Sequence, residues 1–276
     1  MADDRAAPAR RGPNFISFRD PKKSLQRAND GDYWMGEEFG PWILHFSSTG
    51  VLLDPPFAVP GGVRSPNNPA VLAGTATATH PNSRGIEAMA ISPDGRYLYA
   101  ALEGPTNADK ADPVTASRRM IFEFSIRGER FTGRTWQYKT EKPDDMVADM
   151  AAIDGHRLVL IERDAGSGVT AVFRGVYAVD RDVVRGDGYL ASTRVVDLAA
   201  IADPALVSLP AIHTGDIGLG NPFRVACESV EAVHPLDNGR ILIGCDNNLP
   251  NTGRNPGLAD DNEFIVIRVP GLGHDD

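Results

Sequence analysis

The chain has 276 residues, of which 42% are hydrophobic, and a formal net charge of −9. A chain of this length can bury one large core or two ordinary ones. The negative charge argues against nucleic acid as the main partner, because phosphate binding needs a basic face. No apolar run is long enough to span a membrane.

The N-terminal residues do not form an intact secretory signal, because no apolar core follows the charges in residues 1–13. We interpret residues 1–13 as a disordered lead-in and residues 14–270 as one domain. Helical periodicity is scarce, and short helices are expected only at 22–28 and 199–206.

A repeated pattern of turns and strands organises the rest of the chain. An Asp-Gly or Asn-Gly turn precedes an apolar run that ends in acidic or amide residues. These turns begin at Asp30, Asp94, Asp154 and Asn238. A third strand follows each hairpin, at 42–46, 121–126, 175–179 and 263–269. Hairpins with a third strand that recur at tens of residues are typical of propeller blades. The sequence therefore predicts an all-β fold, a β-propeller.

About six blades are expected for such a ring. Further, less regular blades could lie in the stretches 51–79 and 188–223, and the first blade could be incomplete at the N-terminus.

Two cysteines, Cys227 and Cys245, flank the last hairpin. A two-residue turn at Asn238 and Gly239 would place Cys245 opposite Ala232 and not opposite Cys227. The sequence therefore predicts two buried free thiols and leaves the redox compartment undecided.

Acidic residues lie at equivalent ends of the repeated units. The runs after the turns end at Glu37-Glu38, Glu103, Glu162-Arg163-Asp164 and Asp246-Asn247-Asn248, and the incoming strands begin with Glu87, Asp149 and Glu231. If the units are related by rotation about one axis, these ends converge around it. Glu231 would then lie opposite Asp246, and carboxylates that close repel each other unless a cation lies between them. Carboxylate and amide oxygens suit calcium or magnesium, not zinc.

Local motifs add detail to this acidic end. Glu38 is followed by Phe-Gly-Pro, which fixes the direction of its backbone, and Arg84 precedes Glu87 at the start of an inner strand. A guanidinium group offers paired donors that match phosphate or carboxylate. Glu228 and Glu231 face opposite sides of a strand unless a bulge intervenes.

Familiar catalytic motifs are missing from the sequence. It contains no GxSxG, HExxH, Walker or GxGxxG pattern, so no motif favours a serine esterase, a zincin, a nucleotidase or a Rossmann enzyme. The histidines are scattered, and we interpret His45 as a packing or surface residue.

The motifs together resemble one known family. They are Gly-Glu-Glu-Phe-Gly-Pro at 36–41, Ser-Arg-Gly-Ile-Glu at 83–87, Ile-Glu-Arg-Asp at 161–164, Glu-Ser-Val-Glu-Ala at 228–232 and Asp-Asn-Asn-Leu-Pro at 246–250. In this order they are similar to the phytase-like propeller family, usually described as having esterase-like activity of phytase, over residues 14–269. The resemblance implies a propeller, commonly an exported bacterial protein of extracellular or periplasmic location. It also implies a phosphoesterase-type activity, with calcium by analogy with propeller phytases. One departure is Lys22-Lys23, where the family has an acidic residue.

The resemblance also suggests site residues. The expected metal ligands are Glu38, Glu87, Glu228, Asp246, Asn247 and Asn248. The expected catalytic residues are Glu103 and Glu162, which would orient a water, and Arg84, Arg163 and Arg254, which would stabilise charge on phosphoryl oxygens. These assignments predict a monomeric, calcium-dependent phosphoesterase for a small anionic phosphate ester. The alternatives are a non-catalytic, calcium-stabilised propeller that binds a ligand, and a metal-dependent lactonase or esterase.

Overall fold

The computed structural model describes residues 24–247 and 249–272, which form four small antiparallel β-sheets. The first sheet contains β1 (Leu25–Arg27), β2 (Tyr33–Glu37), β3 (Trp42–Phe46) and β4 (Phe57–Ala58). The second contains β5 (Ile86–Ile91), β6 (Tyr97–Leu102), β7 (Arg118–Ser125) and β8 (Arg130–Lys139). The third contains β9 (Met146–Ala152), β10 (Arg157–Arg163), β11 (Arg174–Val184) and β12 (Leu190–Asp197). The fourth contains β13 (Ser229–Leu236), β14 (Arg240–Asp246) and β15 (Phe264–Arg268).

In the described residues, helical structure is limited to the loops. It consists of the helices α1 (Pro69–Leu72) and α2 (Asn107–Ala111) and a 3-10 turn at Gly168–Thr170. Within the described ranges, no helix has the length and apolar character needed to cross a membrane. The predicted lead-in at 1–13, the Lys22-Lys23 pair and Asn248 lie outside the described residues.

Strands follow one another in each sheet in chain order, as the repeated hairpins predict. The Asp-Gly turns suit this arrangement, because Gly31 and Gly95 have φ angles of 97° and 70°. Glycine adopts this region without the steric cost that a Cβ atom would bring. Each turn therefore reverses the chain between the first and second strands of a sheet.

The four sheets surround one axis, with β1, β5, β9 and β13 innermost. At one end of the axis, a cavity of about 380 Å³ is lined by residues of or next to all four of these strands: Ser24, Glu87, Asp149 and Glu231. At the other end, Arg27, Ile91, Ala152 and Leu236 line a second cavity. The predicted all-β propeller is therefore confirmed.

The sequence predicts about six blades, a usual ring size. The described residues form four sheets instead. The stretch 51–79 supplies only β4 and α1, and the stretch 188–223 supplies β12 followed by a long loop. The two predicted helices are also wrong. Residues 25–27 pair with β2 as an edge strand, and Ile201 forms an isolated bridge with Phe223. In both segments, pairing with a neighbouring chain segment overrides a weak local preference for helix.

Apolar side chains fill the spaces between neighbouring sheets. Trp34 and Phe124 pack between the first and second sheets, Tyr99 and Leu160 between the second and third, and a third cluster, which includes Val230, between the third and fourth. In the described part of the chain, no comparable cluster joins the fourth sheet to the first. Burial of apolar area at three boundaries is thus the main stabilisation of the ring.

Two buried arginines connect successive sheets. Arg119, in β7, donates to the carbonyl oxygens of Glu103 (3.0 Å), Ala116 (3.1 Å) and Pro143 (2.7 Å), and to that of Asp145. Pro143 and Asp145 lie just before β9, the inner strand of the next sheet. A guanidinium group has five fixed donors, so one side chain can satisfy several loop carbonyls that water does not reach.

Arg174, in β11, repeats this arrangement one sheet further on. It donates to the carbonyl oxygens of Val225 (3.2 Å) and Cys227, which precede β13, and to that of Gly166 (2.8 Å). Asp164 lies 3.3 Å from its guanidinium group. Burial lowers the pKa of both arginines to about 10, so they remain charged at neutral pH.

The two cysteines form a disulfide, and the prediction of free thiols is therefore wrong. Cys227 and Cys245 are bonded, with their Cα atoms 6.1 Å apart. The register differs from the predicted one because the turn contains three residues, so that Leu236 pairs with Arg240, and because a bulge lies between Val230 and Ala232. Cys245 consequently pairs with Val230. The bond indicates that the chain folds in an oxidising compartment.

Candidate functional site

The predicted acidic end of the propeller contains the cavity of about 380 Å³, which we call the axial cavity. Four carboxylates from three sheets line it, together with side chains and backbone from neighbouring positions. The lining residues are Ser24, Glu87, Ala148, Asp149, Glu231, Ala232, Gly244, Cys245, Asp246, Asn262 and Phe264. The acidic strand ends Glu87, Asp149, Glu231 and Asp246 therefore converge around the axis, as the repeat predicts.

Glu87 is positioned by an irregularity in its strand. Ile86 pairs with Leu102 and Ala88 with Ala101, so Glu87 is the extra residue of a β-bulge. Glu231 occupies the corresponding bulge in the fourth sheet, between Val230 and Ala232. Bulges redirect the side chain of the extra residue, and both of these side chains line the axial cavity.

The carboxylates influence one another strongly. Glu87 is only 5% exposed. Burial and the negative charges of Glu103, Glu38 and Glu231 raise the pKa of Glu87 well above its usual range. Its Oε2 atom accepts no hydrogen bond from the described residues. Glu87 therefore lies at a point where negative charge is concentrated and only partly compensated.

Asp149 is a further carboxylate in this cavity. It accepts a hydrogen bond of 2.8 Å from the backbone N–H of Val233. Burial raises its pKa to about 7, and the charge of Glu231 adds to this effect, while hydrogen bonds from Val233 and Met150 lower it. Asp149 thus links the third sheet to the fourth through its hydrogen bond.

Glu38 is presented toward the second sheet by the turn after β2. The carboxylate of Glu37 accepts hydrogen bonds from the backbone N–H groups of Phe39 (2.9 Å) and Gly40 (2.6 Å), which fixes the turn. Glu38 itself is 1% exposed and accepts a hydrogen bond from the Ser83 hydroxyl. A Cβ atom at Gly85 would lie 2.3 Å from the Glu38 carbonyl oxygen, so only glycine permits this approach.

Two of the predicted phosphate-binding arginines form ion pairs with carboxylates near the axis. Arg84 Nη1 lies 2.9 Å from Glu103 Oε2, and Arg163 Nη2 lies 2.9 Å from Glu231 Oε1. The Arg84 side chain is 39% exposed, whereas that of Arg163 is 5% exposed. Arg84 is therefore the member of this pair that a substrate can reach.

Glu162 lies outside the lining of the axial cavity. Its carboxylate is fully buried and accepts hydrogen bonds from the Tyr138 hydroxyl (2.5 Å) and the Glu141 backbone N–H (2.6 Å). Burial raises its pKa to about 7, the negative charges of Asp145 and Glu141 act in the same direction, and the two hydrogen bonds act against them. Its partners belong to the contact between the second and third sheets.

The remaining predicted residues lie around the last strands. Glu228 Oε2 accepts a hydrogen bond of 2.7 Å from Asn251, and the Asn247 backbone N–H donates to Asn262 Oδ1 at 3.0 Å. Arg254 lies elsewhere, in a groove beside β15. Its guanidinium group contacts both oxygens of Glu263, at 2.6 and 2.7 Å, and lies 4.7 Å from the centre of the Phe223 ring. Asn248 lies outside the described residues.

A separate group of potential metal ligands lies between the first and second sheets. Among the described residues, it is the one group of three or more whose ligand atoms all lie within 4.8 Å of one another: His45, Asp54 and Glu129. His45 Nδ1 is 2.8 Å from Asp54 Oδ2, and the His45 ring stacks on Trp34 with ring centres 3.9 Å apart. Imidazole with carboxylates suits a transition metal better than calcium.

Sequence reasoning missed part of both groups. Glu129 is far in the chain from His45 and Asp54, and the three residues share no motif, so no local signal joins them. Asp149 and Glu231 do carry a signal, because they occupy the acidic position of the incoming strands in the repeat. Among the described residues, the predicted carboxylate ligands Glu38, Glu87, Glu228 and Asp246 do not form a group as tight as the His45 group. The role of the predicted metal ligands stays a prediction.

Comparison with known proteins gives a family and several distant similarities. The family described as "Phytase-like: Esterase-like activity of phytase" matches residues 23–249. An uncharacterized secreted protein of Arthroderma benhamiae is 26% identical over 124 residues, which is 36% of this chain and 23% of that protein. The chain thus matches less than a quarter of that relative's length.

Two solved structures are only distantly similar to this chain. The calcium-binding protein regucalcin from Agrobacterium tumefaciens has 12% identity and a TM-score of 0.42, over 92% of this chain and 64% of that one. Hydrazine synthase of Kuenenia stuttgartiensis has 14% identity and a TM-score of 0.39, over 88% and 62%. The family match covers most of the chain, and the protein belongs to the phytase-like family described by the esterase-like activity of phytase.

Proposed function

We propose that this protein is a divalent-cation-dependent hydrolase, a phosphoesterase that acts on a small anionic phosphate ester at the axial cavity. The observation that carries the proposal is the state of Glu87. Its carboxylate is buried, its pKa is raised by that burial and by three neighbouring carboxylates, and one of its oxygens accepts no hydrogen bond from the described residues. A cation bound beside Glu87 would compensate this charge.

The donor atoms around Glu87 fit calcium. Glu87, Asp246 and Asn262 line the cavity, and calcium prefers carboxylate and amide oxygens of the kind that these residues carry. Glu38 and Glu231 belong to the same charged group as Glu87. Glu228 and Asn247, from the same end of the fourth sheet, would complete the ligand set. A bound divalent cation would supply charge neutralisation and polarise the phosphoryl group.

The protein's own residues would bind and orient the ester. Arg84 is the exposed cation at this end, and its pairing with Glu103 holds the guanidinium group in one direction. We assign Arg84 to the charge on the phosphoryl oxygens and Glu103 to the orientation of the attacking water. Arg163 is buried against Glu231, so its role is to position that carboxylate.

Glu162 and Arg254 take different roles in this proposal. Glu162 lies between the second and third sheets and would act through the packing of β10, not by contact with substrate. Arg254 binds Glu263, two loop carbonyl oxygens and the Phe223 ring beside β15, so it would hold that loop. Both assignments reduce the predicted catalytic set to Arg84 and Glu103, with Arg163 as a positioning residue.

We infer that the protein acts outside the cytoplasm, in an extracellular or periplasmic location. The disulfide between Cys227 and Cys245 supports this inference, and so does the secreted relative from Arthroderma benhamiae. A monomer and the absence of nucleic-acid binding stay predictions. Size-exclusion chromatography and a gel-shift assay with random duplex DNA would test them.

The proposal is tested by turnover of p-nitrophenyl phosphate, bis-p-nitrophenyl phosphate and p-nitrophenyl acetate, each with calcium or EDTA. We expect calcium-dependent release from a phosphate ester and loss of that release in Glu87→Gln. The matched control is Glu123→Gln, because Glu123 is equally buried but interacts with Thr132 and Arg134 away from the axis. The control should keep its activity.

Other outcomes would replace the proposal. Release from the acetate ester alone would indicate a metal-dependent lactonase or esterase. Absence of turnover, combined with a calcium-dependent rise in melting temperature, would indicate a ligand-binding propeller with a structural cation. Equal loss of activity in Glu87→Gln and Glu123→Gln would show that the effect comes from folding and not from the axial cavity.

A further inference from the structure

The His45 group lies away from the axial cavity, toward the opposite end of the propeller. β3 begins at Trp42, which pairs with Glu37 at the acidic end of β2. His45 lies three residues further along β3, toward the end where Arg27 of β1 lines the second cavity. The hydrolase proposed above therefore makes no use of this group.

The fold brings the three side chains of the group together from two sheets. The loop after β3 turns back on the strand, and the backbone N–H of Leu53 donates to the His45 carbonyl oxygen at 2.9 Å. The next residue, Asp54, consequently lies beside the imidazole, with its Oδ2 atom 2.8 Å from His45 Nδ1. Glu129 comes from the turn between β7 and β8, in the second sheet. The group thus crosses the boundary between the first and second sheets.

The imidazole of His45 has a carboxylate at each of its nitrogens. The residue is only 8% exposed, and its Nε2 atom makes no hydrogen bond with the described residues. Asp32 Oδ2 lies 3.4 Å from Nε2, and the other oxygen of Asp32 accepts a hydrogen bond of 3.0 Å from the Ser48 backbone N–H. A metal ion on Nδ1 would leave the ring proton on Nε2, facing Asp32. Metal-binding histidines commonly direct their second nitrogen toward a carboxylate in this way.

The charge of this region is not balanced by basic side chains. In the part of the chain that the structure describes, no lysine or arginine forms an ion pair with Asp32, Asp54 or Glu129. Near the axis, by contrast, Glu231 has Arg163 at 2.9 Å. Three carboxylates around one imidazole therefore favour a cation taken up from solution.

The donor atoms indicate which class of cation fits. One nitrogen and two carboxylate ligands suit zinc and related transition metals, whereas calcium takes oxygen ligands. The three ligand atoms lie within 4.8 Å of one another. A tetrahedral zinc ion with bonds of about 2.1 Å holds its ligand atoms roughly 3.4 Å apart. The Glu129 side chain is exposed, so it can make the small movement that closes the site.

We propose that His45, Asp54 and Glu129 bind one transition-metal ion of the zinc class, with Asp32 as a positioning residue for the imidazole. Three protein ligands leave one position of a tetrahedral ion for water. The ion links the loop after β3 to the turn between β7 and β8, and so fastens the first sheet to the second. The proposal is independent of the hydrolase activity, because the site and the class of metal both differ.

The test is a calorimetric titration of the EDTA-treated and dialysed full chain with zinc, in excess calcium. Excess calcium reduces competition from the carboxylates of the axial cavity. We expect one tightly bound zinc ion per chain and at least a tenfold loss of affinity in Glu129→Gln, which removes a ligand but no buried contact. The matched control is Asp237→Asn, because Asp237 is an exposed carboxylate in the turn between β13 and β14. Asp237→Asn and Glu87→Gln should both keep the zinc affinity of the wild type.

Melting temperatures test the link between the sheets. Zinc at about a hundredfold excess over its dissociation constant should raise the melting temperature of the wild type by roughly 5–10 °C. The rise should be much smaller in Glu129→Gln, whose melting temperature in EDTA should match that of the wild type. Asp32→Asn should also keep its melting temperature in EDTA but bind zinc about tenfold more weakly.

Three results would overturn the proposal. The first is the absence of zinc binding to the wild type, which would leave His45 as a protonated side chain between Asp32 and Asp54. The second is equal zinc affinity in Glu129→Gln and Asp237→Asn, which would place the ion elsewhere. The third is zinc binding without a rise in melting temperature, which would refute the link between the sheets. Unchanged zinc affinity in Asp32→Asn would refute the positioning role of Asp32.

Discussion

Removal of the Cys227–Cys245 disulfide should cost a defined amount of stability. The bond closes a loop with a sequence separation of 18 residues. In the chain-entropy description, a loop of this size restricts the unfolded chain by an amount equivalent to about 3 kcal/mol at room temperature. The free energy of unfolding of Cys227→Ala/Cys245→Ala should therefore be lower by about this amount.

The assay is urea unfolding followed by tryptophan fluorescence, with the wild-type chain measured under oxidising and reducing conditions. The midpoint should fall in the double variant and in the reduced wild type. Titration of the denatured, unreduced protein with a thiol reagent should find no free thiol. A difference of less than about 0.5 kcal/mol between variant and wild type would refute the loop argument. Two titratable thiols in the unreduced protein would restore the prediction of free cysteines.

The bond has a second expected consequence, because its cysteines flank proposed cation ligands. Cys227 precedes Glu228 and Cys245 precedes Asp246 in the chain. Without the bond, the backbone at these two positions is less constrained in the double variant, so calcium binding should weaken. The measurement is a smaller calcium-dependent shift of the melting temperature. An unchanged shift would show that the positions of Glu228 and Asp246 do not depend on the bond.

Three further predictions concern buried charges. The pKa of Glu162 is raised to about 7, so the native state binds this proton more tightly than the unfolded state, and stability should fall by about 3 kcal/mol as pH rises from 4.5 to 7. Glu162→Gln should flatten that slope in urea titrations at pH 5 and pH 8, and an unchanged slope would contradict the assignment. Arg174→Met should lower the free energy of unfolding by about 3 kcal/mol, because loop carbonyls lose their donor. The control Arg185→Met removes an exposed ion pair and should change the free energy of unfolding by less than about 1 kcal/mol. Similar losses in both variants would contradict the role of Arg174. Glu87→Gln removes a buried negative charge, so its melting temperature in EDTA should equal or exceed that of the wild type. The calcium-dependent shift of the melting temperature should become smaller. A lower melting temperature with an undiminished shift would contradict the cation proposal.

The repeat in the sequence predicts the fold class well, because each turn, strand and acidic residue is a local feature. Gly31 and Gly95 mark chain reversals, and the runs that follow them pair as predicted. The number of sheets is less predictable. It depends on whether the stretches 51–79 and 188–223 find pairing partners, which their local composition does not determine.

The site is predicted only to the level of the strand that carries each residue. Glu87 and Asp246 reach the axial cavity, but the three-residue turn and the bulge at Glu231 each shift the register by one residue. Asp246 therefore lies opposite Ser229 and not opposite Glu231 as predicted. A bulge is favoured by packing and charge from other sheets, so a periodicity of two along the strand does not reveal it. Arg254 has the residue type expected for phosphate binding, yet Glu263 and Phe223 retain it beside β15.

The buried arginines at the sheet boundaries have a consequence for how far the surrounding loops can vary. Arg119 and Arg174 recognise main-chain oxygens, which every amino acid provides. The residues that carry those oxygens, such as Pro143 and Val225, can therefore be exchanged without loss of the contact, provided that the backbone path is kept. Neighbouring sheets would stay aligned while the loops between them acquire new side chains, so the surface at the acidic end can change without loss of the fold.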